Sequence, residues 1–154
     1  MPRTNTFKTF LFAPALPLAL LLIPLTAADV ARAAEPAAVA LTFQVGERKG
    51  AVMVALYDSE ASYDGSTRPL KVAKVPVTAG PVTARFADVK PGRYAAKAFH
   101  DLDGDGEMDM NLMGMPTEPF AFSNNAPARG GPAPWSAAAF DVGPQGAAQT
   151  LVIR

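Results

Sequence analysis

From residue 39 onward the chain is a succession of short apolar segments cut apart by turn residues, and this punctuation limits the fold more than any other feature. Val39, Leu41, Phe43 and Val45 alternate with Ala40, Thr42 and Gln44, the period-2 pattern of a half-buried strand. After a turn at 46–50, residues 51–57 are apolar on both faces of a second strand. Residues 58–68 form a polar connection with room for one helical turn. The next segment, 70–77, carries Lys71, Lys74 and Pro76, which suit a sheet edge because charge and a missing N–H discourage further pairing. Gly80-Pro81 opens a segment in which Val82, Ala84 and Phe86 alternate. The Lys90-Pro91-Gly92 turn leads into 93–100, with Tyr94, Ala96, Ala98 and His100 on one face and Lys97 on the other. Residues 137–142 and 150–154 read as the last two strands.

Glycine and proline number 12 and 15, too many for a helical bundle. No long stretch has helical periodicity, and no internal repeat is seen. Six or seven strands with turn signals at short intervals predict an all-β fold. The expected architecture is an antiparallel β-sandwich, immunoglobulin- or transthyretin-like, with a long metal-binding-type loop. A closed barrel is the competing architecture.

The beginning of the chain reads as an address. Arg3 and Lys8 precede an apolar run at 10–25, and Ala31-Arg32-Ala33 supplies a small-residue cleavage site. This predicts a cleaved signal peptide over 1–33 and a single domain over 34–154, located in the periplasm or outside the cell. Cleavage after Ala28 is the alternative site. A retained anchor is disfavoured by the short run and by Pro14, Pro17 and Pro24 within it, so no membrane span is expected after cleavage. Removing 1–33 leaves 11 basic and 13 acidic residues. Such a balance offers no basic surface, and no nucleic-acid partner is expected. The absence of cysteine excludes disulfides, thiolate metal sites and cysteine nucleophiles.

Residues 101–134 contain no strand-like stretch longer than a few residues, yet methionines, phenylalanines and Trp135 supply apolar groups to pack. Loops of this length are usually functional when they are ordered. Its first part, Asp101-Leu102-Asp103-Gly104-Asp105-Gly106-Glu107-Met108-Asp109, holds five carboxylates in nine residues. Two like charges ~4 Å apart repel by ~1 kcal/mol in water and ~4 kcal/mol at an effective dielectric of 20, so a cation among them is expected. The D-x-D-x-D-G spacing matches the start of an EF-hand calcium loop, but Leu112 stands where the twelfth-position glutamate would be. The expected metal ligands are Asp101, Asp103, Asp105, Glu107 through its carbonyl, and Asp109 closing the site early. Asn111 is a possible further oxygen donor. Ca2+ is preferred over magnesium because the loop is flexible and rich in carboxylates; the competing reading is a solvated acidic turn.

His100 is the only histidine. Beside Asp101 it could serve as a general base in a metal-dependent hydrolase, although a lone histidine at a strand end is more often structural. No second histidine exists for zinc, no G-x-S-x-G elbow appears, and no phosphate-cradling glycine loop follows a strand. Farther on, 114–126 combines prolines, aromatics and amides. One reading exposes Glu118, Phe120, Phe122, Ser123 and Asn124 as a ligand-contacting surface. The preferred one has the aromatics plug an end of the sandwich while the amides satisfy loop backbone groups.

Taken together, Pro91-Gly92-x-Tyr94, His100-Asp101-x-Asp103-x-Asp105-Gly106-x-Met108-Asp109, Asn111, Gly114-x-Pro116-x-Glu118-Pro119-Phe120, Ser123-Asn124-Asn125-Ala126 and Phe140 resemble a family of small exported bacterial proteins, domain of unknown function 2141. The resemblance runs from about Val39 to Arg154. Asp103 and Asp105 stand where members often carry asparagine, and Trp135 where phenylalanine is common. The resemblance implies a single exported β-sandwich of undefined activity and brings no catalytic residues. The expected function is a non-catalytic binding or structural module with a calcium-type loop, its partner a glycan, a peptide or an envelope protein. The alternative is a metal-dependent hydrolase using His100 and the acidic cluster.

Overall fold

The computed structural model describes residues 37–154; the expected signal peptide and its cleavage site lie outside the described residues. The structure is mostly β and has two sheets. The strands are β1 (Val39–Gln44), β2 (Ala51–Tyr57), β3 (Lys71–Pro76), β4 (Val82–Phe86), β5 (Gly92–Asp101), β6 (Phe120–Phe122), β7 (Phe140–Val142) and β8 (Ala147–Val152). Two one-turn helices, α1 (Glu60–Tyr63) and α2 (Trp135–Ala138), interrupt them. The three-stranded sheet has the order β4-β1-β8, and the larger one runs β3-β2-β5-β6 with β7 also paired to β5.

The alternation read from the sequence is the packing. Val39, Leu41 and Phe43 of β1, Val82, Ala84 and Phe86 of β4, and Leu151 of β8 turn inward from the small sheet. They join Val52, Val54 and Leu56 of β2 and Ala96 and Ala98 of β5 in one buried apolar cluster. Fully burying the valines, leucines and phenylalanines among them stabilises the fold by roughly 1.5–3 kcal/mol each. β3 lies at an edge of its sheet, as its lysines and proline suggested.

Two expectations need correction. β1 and β8 pair in parallel, Val39 opposite Ala147 through Gln44 opposite Val152, so the strands are not all antiparallel. Residues 137–142 are not one strand either. Pro134 and Trp135 start a helical turn, and only Phe140–Val142 is extended. Proline before the first turn costs that turn no hydrogen bond, which favours helix initiation here.

Side chains alternate across a strand, so the larger sheet has a second face. On it stand Met53, Ala55 and Tyr57 of β2, Val72 and Lys74 of β3, Lys97 and Phe99 of β5, and Phe120 and Phe122 of β6, as the pairing register requires. A small second core covers one end of this face: Tyr63, Ala95, Phe122, Ala126, Ala133 and Ala138 are buried together. The Tyr63 hydroxyl donates to the Ala133 carbonyl at 2.8 Å. Phe120 and Phe122 therefore lie on a sheet face rather than plugging an end, which corrects the preferred sequence reading. The amides behave as that reading expected. Asn124 Nδ2 donates to the carbonyls of Ala137, Ala138 and Ala139, and Asn125 Nδ2 to that of Thr150.

Candidate metal site

Asp101 ends β5, and the alternation that turns His100 toward the main core turns Asp101 to the opposite face. The Asp101 side chain is fully buried. Its Oδ1 accepts the Gly104 N–H at 2.7 Å, and its Oδ2 pairs with the Lys74 ammonium at 3.0 Å. The loop then curls by repeated side-chain-to-backbone bonds. Asp103 Oδ1 accepts from the Asp105 N–H at 3.2 Å, and Asp105 Oδ1 from the Glu107 N–H at 2.8 Å. Such turns are the local preference of aspartate, and Gly104 and Gly106 take the positive φ values that the curl demands.

The curl brings one carboxylate oxygen each of Asp101, Asp103 and Asp105 within 4.8 Å of one another. Oxygens bound to calcium at about 2.4 Å on opposite sides of the ion stand about 4.8 Å apart, so one centre can serve all three. At that separation each pair of charges repels by ~1 kcal/mol in water, and by ~3–4 kcal/mol at an effective dielectric of 20. Among the described residues, Lys74 is the only side-chain cation paired with the group. Three carboxylates and one ammonium leave two negative charges, the complement of a divalent ion.

Burial pushes the Asp101 carboxyl up, but the Lys74 ammonium and the N–H groups of Gly104 and Gly106 outweigh it and hold it below the ordinary carboxylate value. Glu107 and Asp109 stand outside the three-residue group. Beyond Glu107 the chain turns back: the Asp109 N–H points to Glu118 Oε2 at 3.5 Å, and the Asp109 carbonyl accepts from the Thr117 N–H at 2.9 Å. Asn111 Oδ1 already accepts the N–H groups of Met113 and Met115, both at 3.0 Å.

One of the two readings of 114–126 exposes Glu118 and Ser123 as contact residues. Both are buried. Glu118 Oε1 accepts the Leu102 N–H at 2.7 Å, tying the start of the acidic loop to its far end. Ser123 Oγ accepts the Ala96 N–H at 2.8 Å and donates to the Ala138 carbonyl at 2.6 Å. The pairing of Lys74 with Asp101 and the tethering of the loop by Glu118 were not foreseen from the sequence. For Lys74 a signal existed, since it is one of two lysines in a strand that is otherwise apolar, but both are equally explained as edge protection.

His100 has 1% of its surface exposed, and its ring Nε2–H donates to the Lys49 carbonyl at 2.7 Å. A base must reach the proton it removes. This imidazole faces the core side of its strand while Asp101 faces the other. The arrangement suits a structural histidine.

No curated protein and no solved structure matches the chain. The family model described as "uncharacterized protein conserved in bacteria", domain of unknown function 2141, matches residues 43–150, spanning every strand from β2 to β7 together with the acidic loop, and the chain belongs to that family.

Proposed function

We propose that this protein is an exported, non-catalytic binding or structural module whose 101–105 loop takes up a divalent cation, calcium foremost. The observation that carries the reading is the gathering of one carboxylate oxygen each of Asp101, Asp103 and Asp105 within 4.8 Å of one another. Two of the three carboxylates are exposed and open to an arriving ion, while Asp101 is held rigidly at the base. Calcium tolerates irregular sets of oxygen donors completed by water, which a three-carboxylate curl can offer; magnesium requires tighter octahedral geometry. Export rests on the basic start, short apolar run and Ala31-Arg32-Ala33 site, with which the cysteine-free composition is compatible. The ion would then act by ordering the excursion between β5 and β6.

The test is a thermal melt and a calorimetric titration of the purified protein with calcium, magnesium and a chelator. A site of this kind stabilises the fold by ~2.7 kcal/mol at a hundredfold excess over its dissociation constant. The Asp103→Ala/Asp105→Ala double variant should lose the calcium response. No melting shift together with no heat of binding would remove the site. N-terminal sequencing of protein recovered from the periplasm or medium tests export, with Ala34 as the expected first residue.

A further inference from the structure

Between the small second core and the acidic loop, no described residue packs over the middle of the outer face of the larger sheet. There it floors an open cleft of about 1030 Å³, at the upper end of the range that small-molecule sites occupy. Met53 and Phe120 belong to the floor. Met108 near the end of the acidic loop, and Met110 and Met115 just beyond it, form one wall. Methionine side chains are unbranched and polarisable, and they line surfaces that adapt to varied apolar shapes. Met110 and Met115 are more than half exposed, an expense of apolar surface that a chain of this size rarely leaves without use.

The charge in the cleft has one sign. Among the described residues, its only lining side chains of the Asp, Glu, Lys and Arg types are Lys74 and Lys97, with no carboxylate among them. Lys74 is engaged by Asp101. Lys97 is half-buried, and among the described residues no carboxylate lies within ion-pair distance of it. Its ammonium sits 4.1 Å from the centre of the Tyr63 ring and 5.3 Å from that of Tyr57, and it donates to the Tyr63 carbonyl. That uses one of three donors. Burial lowers its pKa, with Asp64 pulling it partly back. A cation kept in an apolar recess with donors to spare is complementary to an anion that arrives attached to an apolar body.

We infer that the cleft on the outer face of the β3-β2-β5-β6 sheet binds a single-chain carboxylate amphiphile of the fatty-acid class, the chain lying along the methionines and the carboxylate meeting Lys97. The site adjoins the cation loop but does not need the ion, and it can be tested in chelator so that the two readings fail independently.

The probe is 11-(dansylamino)undecanoate, whose fluorescence rises in an apolar site, displaced by decanoate, decanol or decyltrimethylammonium. The expected result is one saturable site from which decanoate displaces the probe at least tenfold more effectively than decanol, and decyltrimethylammonium least of all. Lys97→Met should reduce decanoate to the level of decanol, and Lys97→Arg should restore its advantage. Met110→Glu, at an exposed position, should leave the melting temperature unchanged and weaken decanoate at least tenfold; this arm decides the matter if Lys97→Met does not fold. Absence of saturable binding, equal displacement by the cationic amphiphile, or an undiminished preference for decanoate in Lys97→Met would overturn the inference. So would sedimentation showing a dimer that Met110→Glu dissociates, which would make a second copy of the chain the occupant.

Discussion

Lys74→Met keeps the length and apolar stem of the side chain and removes only the ammonium. Without calcium, the substitution leaves the fully buried Asp101 carboxylate supported by backbone N–H groups alone. Removing one partner of a buried ion pair costs ~3–5 kcal/mol, whereas exposed pairs contribute ~0–1 kcal/mol. The Lys74 side chain is 46% exposed and that of Asp101 is not exposed at all, so the loss should fall between these limits, ~1–3 kcal/mol. For a domain of this size the melting temperature in chelator should drop by roughly 4–12 °C. In saturating calcium the ion takes over the charge of Asp101, and most of the difference should vanish. The variant should also bind calcium about tenfold more tightly or better, a gain of ~1.4 kcal/mol, because the ion no longer competes with an ammonium. Differential scanning calorimetry with and without calcium reads the first effect and titration calorimetry the second. A variant equally destabilised in both conditions, with unchanged calcium affinity, would refute the reasoning: Lys74 would then be a structural partner unrelated to an ion.

Three further outcomes follow from the same geometry. Gly50 has a φ of +68°, and a Cβ there would lie 2.0 Å from the Asp101 carbonyl oxygen, so Gly50→Ala should cost about 3–5 kcal/mol in chemical denaturation; a loss below ~1 kcal/mol would show that the turn yields freely. Glu118→Gln exchanges a charge-assisted acceptor at Leu102 for a neutral one, which should cost about 1–2 kcal/mol and speed amide hydrogen exchange at Leu102 and Asp109; unaltered exchange would mean the carboxylate does not tether the loop. The Asp101 carboxyl is lowered in the folded chain, so its contribution to stability is complete above its unfolded pKa of about 3.9 and disappears as pH falls through the lower folded value. Melts in chelator should therefore lose an acid limb below about pH 4 in Asp101→Asn, and an identical limb in both proteins would assign it to other groups.

The apolar run of β2 shows how much of the fold was legible. A strand apolar on both faces announces that both faces are covered or used, and here one meets the main core while the other floors the cleft. Alternation in β1, β4 and β5 likewise fixed which side chains point inward. What alternation does not carry is the direction of a partner strand, so the parallel pairing of β1 with β8 was invisible. Residues 137–139, expected to begin a strand, failed for a related reason: alanines accept either conformation, and the choice was made by the packing of Ala138 and Trp135 with Tyr63. In the site, the three convergent aspartates were legible because their spacing and glycines act locally. Lys74 is 27 residues from Asp101 and Glu118 is 16 from Leu102, and only the completed sheet brings them together.

The two sites are connected by strand parity. Lys97, Phe99 and Asp101 succeed one another on the same face of β5, at about 6.6 Å per step, so the floor of the cleft runs directly into the base of the acidic loop. Lys74 stands where they meet: it lines the cleft and holds Asp101. An ion that takes over the Asp101 carboxylate frees that ammonium, and the nearest unfilled demand for it is an anion in the cleft. Calcium should then tighten decanoate binding, and linkage requires decanoate to tighten calcium binding by the same factor, typically 5–150-fold for coupled sites of this kind (about 1–3 kcal/mol). Lys74→Met should abolish the coupling while leaving Lys97 to bind decanoate. Titrations of each ligand in the presence of the other measure both factors. Equal affinities with and without the second ligand would mean that Lys74 never leaves Asp101, and that the loop and the cleft are neighbours without being partners.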